Sequence, residues 1–217
     1  VDQDVGSPAI AGSASFAGGV FTVKGAGVDI EGTSDQFHYV YQPLSGDMTV
    51  VARVATLQNT NPWAKGGVMI RESTAANSKQ AMLVLTPGNG LSFQRRLSTG
   101  GNTTNTPGAQ VAAPYWVKLV RSGSTFTAYS SPNGSSWTQV GSDTISMATN
   151  VLVGLALTSH HDGILCTAVF TGVSVTGGGT LLRIEAESPT VTGPMITVTD
   201  AACFGSKYVE TSTANTG

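Results

Sequence analysis

The pattern that most constrains the fold is an alternation of apolar and polar residues with a period of two, which recurs along the chain. Such alternation, enriched in β-branched and aromatic residues, places successive side chains on opposite faces of a β-strand. No segment shows a sustained helical period of 3.6 residues. The predicted strands are Phe37–Tyr41, Met48–Leu57, Val68–Glu72, Ala81–Thr86, Leu91–Leu97, Tyr115–Arg121, Thr125–Ser130, Ser136–Val140, Val151–Ser159 and Leu165–Val175.

Turn-forming residues separate nearly all of these strands. Gly, Asn, Pro and Ser dominate the intervening segments because they tolerate or fix the backbone angles of turns. Short strands at this spacing predict an all-β fold, an antiparallel two-sheet β-sandwich of the jelly-roll type. The turns are predicted at Ser45–Asp47, Pro87–Gly90, Ser122–Ser124 and Pro132–Gly134, and long polar loops at Asn59–Pro62 and Ser98–Pro107.

The charge balance argues against two classes of function. The 217 residues carry 11 Lys and Arg against 13 Asp and Glu, a formal net charge of -2, so no basic field attracts nucleic acid or an anionic membrane. No apolar run approaches the roughly 20 residues that span a bilayer. Charged residues make up only 11% while glycines number 27, a composition common in extracellular β-domains. We therefore expect an extracellular protein, secreted or held at the cell surface.

A glycine run near the C-terminus predicts a domain boundary. Gly177-Gly178-Gly179 ends the β-patterned region, and a new pattern begins at Leu182. Glycine-rich segments behave as flexible linkers. We therefore predict a β-sandwich over 1–176, a linker over 177–181 and the N-terminal fragment of a second β-sandwich module over 182–217.

The two cysteines do not have metal-binding spacing. Cys166 lies in an apolar strand pattern, whereas Cys203 lies in the C-terminal segment. They either form one disulfide or remain two thiols, and in the second case Cys166 packs as a small hydrophobic residue.

Arginine and glutamine side chains on two predicted strands are candidates for ligand binding. Arg71 is expected to point into the concave face of the sandwich, where its guanidinium offers fixed donors to hydroxyl or carboxylate groups. The alternative is a strand-edge ion pair of Arg71 with Glu72 or Asp47. Alternation allows either Gln94 and Arg96, or else Arg95, to join it. The candidates on these strands are Arg71, Gln94, Arg95 and Arg96.

Three further residues are candidates for contacts with a sugar. Trp63 follows Asn-Pro in a polar loop, where an exposed indole stacks on the CH face of a sugar; the alternative is a tryptophan that caps the core. Tyr41 and His160 have side chains suited to a polar groove. A metal ion at His160-His161-Asp162 is not expected, because adjacent strand residues point in opposite directions.

The chain lacks the carboxylate motif of jelly-roll glucanases. Glycosidases hold two carboxyl groups roughly 5 to 9 Å apart, and jelly-roll glucanases carry theirs as Glu-x-Asp-x-x-Glu on one strand, a run that does not occur here. We therefore expect no catalytic activity in this segment. A polysaccharide lyase or glycoside hydrolase on a jelly roll is the alternative, since Arg71, Gln94, His160 and Tyr41 are the residue types of a lyase groove.

One hairpin carries a turn motif. The run Ser131-Pro132-Asn133-Gly134 resembles the Asp-box turn of secreted sialidases and lectin-like β-domains, with Asn133 in place of the usual Asp. In such a turn the Asx side chain bonds its own backbone, Gly134 takes a positive φ and Trp137 packs over the hairpin. Its expected role is structural.

Five stretches together carry a wider resemblance: Phe37–Tyr41, Asn61–Glu72, Phe93–Arg96, Tyr115–Leu119 and Thr158–His160. They resemble the concanavalin A-like (LamG-like) jelly-roll domains that occur as accessory modules in secreted bacterial carbohydrate-active proteins. The resemblance spans most of residues 1–176 and implies a β-sandwich attached to a polysaccharide-degrading enzyme.

The C-terminal segment carries a second resemblance. Arg183–Glu187 and Gly205–Glu210 look like the opening strands of family-6 and family-35 carbohydrate-binding modules, in which two glutamates of the first strand, here Glu185 and Glu187, help bind a structural calcium ion. Their spacing places both carboxylates on one strand face, which suits a hard cation. The alternative is two solvated acids on an edge strand, since the segment stops short of a full module.

These patterns and resemblances predict a non-catalytic carbohydrate-binding accessory module of an extracellular polysaccharide-active protein. The expected partners are a polysaccharide or oligosaccharide and the neighbouring modules of the parent protein, without nucleic acid or membrane. A structural spacer or adhesion domain without a glycan ligand explains the same residues and is the third class considered.

Overall fold

The computed structural model describes residues 1–180, which form β-strands and no helix, and therefore no helix that could cross a membrane. Glu185, Glu187, Cys203 and the predicted second module lie outside the described residues. The strands are β1 Asp2–Val5, β2 Ser13–Ala17, β3 Val20–Gly25, β4 Ile30–Glu31, β5 Ser34–Asp35, β6 Phe37–Leu57, β7 Lys65–Arg71, β8 Gln80–Thr86, β9 Gly90–Arg96, β10 Thr104–Pro107, β11 Tyr115–Ser122, β12 Thr125–Ser131, β13 Thr138–Thr144, β14 Asn150–Thr158 and β15 Cys166–Thr180.

The strands form two antiparallel layers that share β6. The hydrogen-bonded order is β10-β9-β8-β7-β14-β6-β11-β12-β13, with β1 and β15 also paired to β6, β3 to β15 and β2 to β3. Strand β11 contacts β7 and β8 without pairing with them, so these strands lie face to face in opposite layers. The predicted all-β, antiparallel β-sandwich is confirmed.

The long strand β6 passes from one layer to the other at a residue with left-handed backbone. Gly46 has a φ of 79°, a conformation that glycine adopts without a Cβ clash. The sequence predicted a turn at Ser45–Asp47 between two separate strands, and this is wrong, because β15 pairs with β6 on both sides of Gly46, through Gly179 and Gly177. The signal for a turn marks a bend within one 21-residue strand.

The inner faces of the two layers form the main core. Along β6, Val50, Ala52 and Val54 are fully buried while Val51 and Arg53 between them are partly exposed, as the alternation predicts. Burying one such aliphatic side chain contributes about 1.5–3 kcal/mol. Other inner-face residues are Val68, Ile70, Leu83, Leu85, Phe93, Val117, Leu119, Phe126, Val153 and Leu155.

A segment of chain covers the outer face of one layer. Strands β7 and β8 are buried on both faces, because residues 27–36, here called the strap, lie across them with the short hairpin β4–β5. The strap closes on itself at Gly27, whose φ is 127° and where a Cβ would overlap the carbonyl oxygen of Gln36. The apolar cluster beneath it comprises Val5, Ile30, Phe37, Tyr39, Met69, Met82, Val84 and Ala156.

The hairpin turn at Asn133 is confirmed. Its side-chain oxygen accepts hydrogen bonds from the backbone amides of Ser135 and Ser136 at 3.0 and 2.9 Å, and Gly134 has a φ of 77°. Trp137 is half-buried, with the Lys118 ammonium 4.1 Å from its ring centroid.

Strand pairing extends further than the sequence predicted. Strands β1 to β5, which precede Phe37, were not predicted. Thr104–Pro107, predicted as the end of a polar loop, is strand β10 and pairs with β9. Strand β15 continues to Thr180, so the predicted linker over 177–181 begins inside a strand. The division at 182 stays a prediction.

Candidate functional site

Arg71 and Arg96 are fully buried and hold the strap rather than facing solvent. Arg96 donates from Nη2 and Nη1 to the two oxygens of Asp35 at 2.6 and 2.8 Å, and Arg71 Nη1 donates to Asp35 Oδ2 at 3.3 Å. All three side chains have 0% exposure. The expectation that these arginines reach a ligand is therefore corrected. The predicted alternative, an ion pair of Arg71 with Glu72 or Asp47, is corrected as well, because Arg71 pairs with Asp35.

The stability of the buried triad of Asp35, Arg71 and Arg96 depends on hydrogen bonds that satisfy its charged groups. Burial lowers the pKa of the Arg71 guanidinium, while Asp35 beside it raises that pKa and favours the charged form. Backbone carbonyl oxygens of Ser73 and Ala75 accept its remaining donors, each at 2.6 Å. An unpaired buried charge is strongly destabilising, so Asp35 links the strap to the sheet.

Three other predicted residues are separated from one another. Gln94 shares the strap-side face with Arg96 but is 2% exposed, and its Oε1 has no hydrogen-bond partner. Arg95 lies on the opposite face and pairs with Asp143, with Nε 3.1 Å from Oδ2. The Tyr41 hydroxyl donates to Gln3 at 3.0 Å. The structure does not assemble these side chains into one open groove.

Trp63 and His160, in contrast, both lie near the ion pair of Lys65 and Asp29 at one end of the strap. His160 Nε2 lies 3.2 Å from Asp29 Oδ2, and Lys65 Nζ donates to Asp29 Oδ1. The same ammonium lies 5.9 Å from the centroid of the Trp63 ring. Together with Glu31, these residues form what we call the Asp29 cluster: Asp29, Glu31, Trp63, Lys65 and His160.

The cluster is open to solvent on one side and closed on the other. Trp63 is 39% exposed, and the side chains of His160 and Asp29 are 31% and 17% exposed. Glu31 is exposed as well. The Lys65 side chain, by contrast, has 0% exposure, so it forms the floor of the cluster.

Hydrogen bonds between three chain segments fix the geometry. The hydroxyls of Thr158 and Ser159 donate to the carbonyl oxygen of Gly27 at 3.1 and 3.4 Å, and Thr60 donates to the carbonyl oxygen of Ser159 at 2.8 Å. His160 has a φ of 53°, a left-handed conformation that costs a non-glycine residue about 1–3 kcal/mol and persists only where the surroundings enforce it. The imidazole is therefore held in a defined position.

The neighbouring Asp29 carboxyl group affects the pKa of Glu31. A hydrogen bond to Asp29, then burial and the Asp29 charge, raise the pKa of Glu31, while Lys65 and His160 oppose this shift. The arrangement offers hydrogen-bond acceptors beside an aromatic ring.

The sequence does not single out Asp29, Glu31 and Lys65, although a local signal exists. Asp29-Ile30-Glu31 is a polar-apolar-polar triplet whose central residue is buried. Within residues 1–180, no group of three or more His, Cys, Asp or Glu side chains is arranged to hold a metal ion.

Gln36 and His38, two further side chains of types suited to a polar groove, lie two residues apart in the chain. His38 is 2% exposed and its Nδ1 lies 2.7 Å from Asp4, while the Gln36 side chain accepts a hydrogen bond from the Val28 amide. These side chains are therefore engaged within the fold rather than displayed in a groove.

No protein-family model matches the chain, and no curated protein matches it either. Solved structures do share its fold. A functionally unknown protein from Saccharomyces cerevisiae is 14% identical with a TM-score of 0.63, covering 81% of this chain and 95% of that one. The carbohydrate binding module CBM66 from Bacillus subtilis is 16% identical with a TM-score of 0.55 and the same coverage.

A third match is to one part of a larger protein. The GH43 protein BlXynB from Bacillus licheniformis is 15% identical with a TM-score of 0.53, over 73% of this chain but only 33% of that protein. At such identities the similarity shows a shared β-sandwich fold.

Proposed function

We propose that this chain is a non-catalytic carbohydrate-binding module and that the Asp29 cluster is its binding site. The observation that carries the proposal is the exposed Trp63 ring, whose centroid lies 5.9 Å from the Lys65 ammonium that also binds Asp29. A single site of this kind binds with millimolar to micromolar affinity, about -4 to -8 kcal/mol.

The chemistry of the cluster suits a sugar. The apolar face of an indole stacks against the CH groups of a pyranose or furanose ring, and carboxyl oxygens accept hydrogen bonds from its hydroxyl groups. Lys65 beneath Asp29 and the constrained His160 hold these acceptors in place. A rigid site loses less conformational entropy on binding.

The similar structures support the proposal at the level of architecture. One of them is named as a carbohydrate binding module, and the match to BlXynB covers a third of that GH43 protein. We extend the proposal to an extracellular setting, in which neighbouring modules of a parent polysaccharide-active protein carry the catalysis. A calcium ion at Glu185 and Glu187 is part of the same proposal.

The test is a pull-down with insoluble polysaccharides followed by calorimetric titration of soluble oligosaccharides. Trp63→Ala is expected to weaken binding at least tenfold, because the stacking surface is lost, while its melting temperature stays close to that of the wild type. The matched control is Trp137→Phe in the other layer, which should bind normally. Equal binding by Trp63→Ala and wild type would place the site elsewhere.

The remaining parts of the proposal have separate readouts. Binding that falls with chelator and in a Glu185→Gln/Glu187→Gln variant would support the calcium site. Release of unsaturated, ultraviolet-absorbing products from uronate polymers would instead reveal a lyase. Absence of binding to any polymer would favour a structural spacer.

A further inference from the structure

We infer that the Asp29 cluster selects neutral glycans and rejects uronate-containing ones. This inference rests on the proposed function, since it names the class of sugar that the same site takes. It follows from the exposure of the polar atoms, because a ligand can reach the carboxyl oxygens while the cationic groups are already paired within the protein.

The cluster has one permanent cation, and that cation is withdrawn from the ligand. The ammonium of Lys65 has no exposed surface and is bound to the Asp29 carboxylate. Lysine recognises an anion as a point charge and needs direct access to do so. A carboxylate on a ligand therefore finds no accessible lysine here.

The two arginines on the strap-side face are equally withdrawn. Arg71 and Arg96 are fully buried, and both donate to Asp35. Their other donors bind backbone carbonyl oxygens, among them those of Ser73 and Gly101. Bidentate recognition of a carboxylate, for which arginine is suited, is not available from either side chain.

The groups that a ligand can reach are mainly acceptors or acids. Glu31 is exposed and Asp29 partly so. Ionised carboxylates accept hydrogen bonds and cannot donate them, so they suit sugar hydroxyls, which donate. A ligand carboxylate in the same position faces like charge instead, and like charges at contact distance repel.

His160 does not reverse this balance. Its Nε2 faces Asp29 Oδ2 at 3.2 Å, so this nitrogen is already engaged with a protein carboxylate. The charged groups that face one another in the cluster are Asp29, Glu31, Lys65 and His160. Two acids thus face one permanently charged lysine, which is buried and bound to Asp29.

The experiment compares matched ligands that differ only in charge. Neutral glucan, mannan and galactan oligosaccharides are titrated at pH 7 beside their C6-oxidised uronate forms. For whichever backbone binds, we expect the uronate form to bind at least tenfold more weakly. In a Glu31→Gln variant that ratio should shrink, because the like charge is removed.

A matched control is Glu72→Gln. Strand β7 begins at Lys65 in the cluster and ends at Arg71, and Glu72 follows at this far end. Glu72 pairs with Lys79, so this variant should leave the ratio of neutral to uronate affinity unchanged. Equal or tighter binding of the uronate form overturns the selectivity while leaving carbohydrate binding intact. Failure of every neutral and oxidised ligand to bind overturns the proposed function and this inference with it.

Discussion

Removing the charge of Asp35 is the perturbation whose consequence the structure defines most sharply. The Asp35 carboxylate is fully buried and receives hydrogen bonds from both Arg71 and Arg96. Asp35→Asn keeps the shape of the side chain but leaves two buried guanidinium groups without a counter-ion. Breaking a buried ion pair from one side costs about 3–5 kcal/mol, because the remaining charge is uncompensated.

The expected loss is large enough to measure in two ways. For a protein of this size, each kcal/mol shifts the melting temperature by about 2–4 °C, so Asp35→Asn should melt about 6–20 °C below the wild type. Urea unfolding followed by tryptophan fluorescence should show the corresponding fall in the free energy of unfolding. Glycan binding should weaken as well, since Asp35 anchors the strap that carries Asp29 and Glu31.

The matched control is Asp143→Asn. Asp143 pairs with Arg95 at the protein surface, where both side chains are partly exposed, and such pairs contribute about 0–1 kcal/mol. If Asp35→Asn were no more destabilising than Asp143→Asn, the buried triad would not be what holds the strap.

Two further predictions concern titratable groups. A raised pKa of Glu31 means that the folded state binds a proton at this carboxyl group more tightly than the unfolded chain does. The protonated Glu31 therefore contributes its full stabilisation below the ordinary pKa of 4.5. This stabilisation is lost as the pH rises through the raised pKa. Urea unfolding across this range should therefore show a shallower decline for Glu31→Gln than for wild type, and equal slopes would contradict the Asp29 contact. Burial raises the pKa of the Cys166 thiol to about 11, so in a Cys203→Ser variant at pH 8 a thiol reagent should modify it only on unfolding; rapid labelling of the folded protein would contradict this burial.

The local patterns of the sequence correctly predicted the two layers of the sandwich and one of its turns. Period-two alternation predicts which residues of β6, β7 and β11 face the core, because the two faces of a strand follow from backbone geometry alone. The Asn133 turn is equally local, since its side chain bonds amides two and three residues away. For Trp63 the loop pattern left an exposed ring and a cap on the core as alternatives, and the structure gives the side chain 39% exposure.

The same reasoning was misled where a second element covers a surface. Arg71 was expected in an open concave face, yet the strap covers that face and supplies Asp35, which lies 36 residues away in the chain. The turn signal at Ser45–Asp47 likewise became a bend, because β15 pairs across it. Burial and pairing of this kind depend on segments that the local pattern does not contain.

The sequence by itself determined the all-β character and the alternation of the inner faces. Only the tertiary structure decided that Asp29 binds Lys65 and faces His160 near Trp63, and that both arginines are internal. The physical reason is that strand periodicity is set by each residue's own backbone, whereas a site is set by contacts between segments distant in sequence. In this chain the strap makes those contacts, and Asp35 fixes where the strap lies.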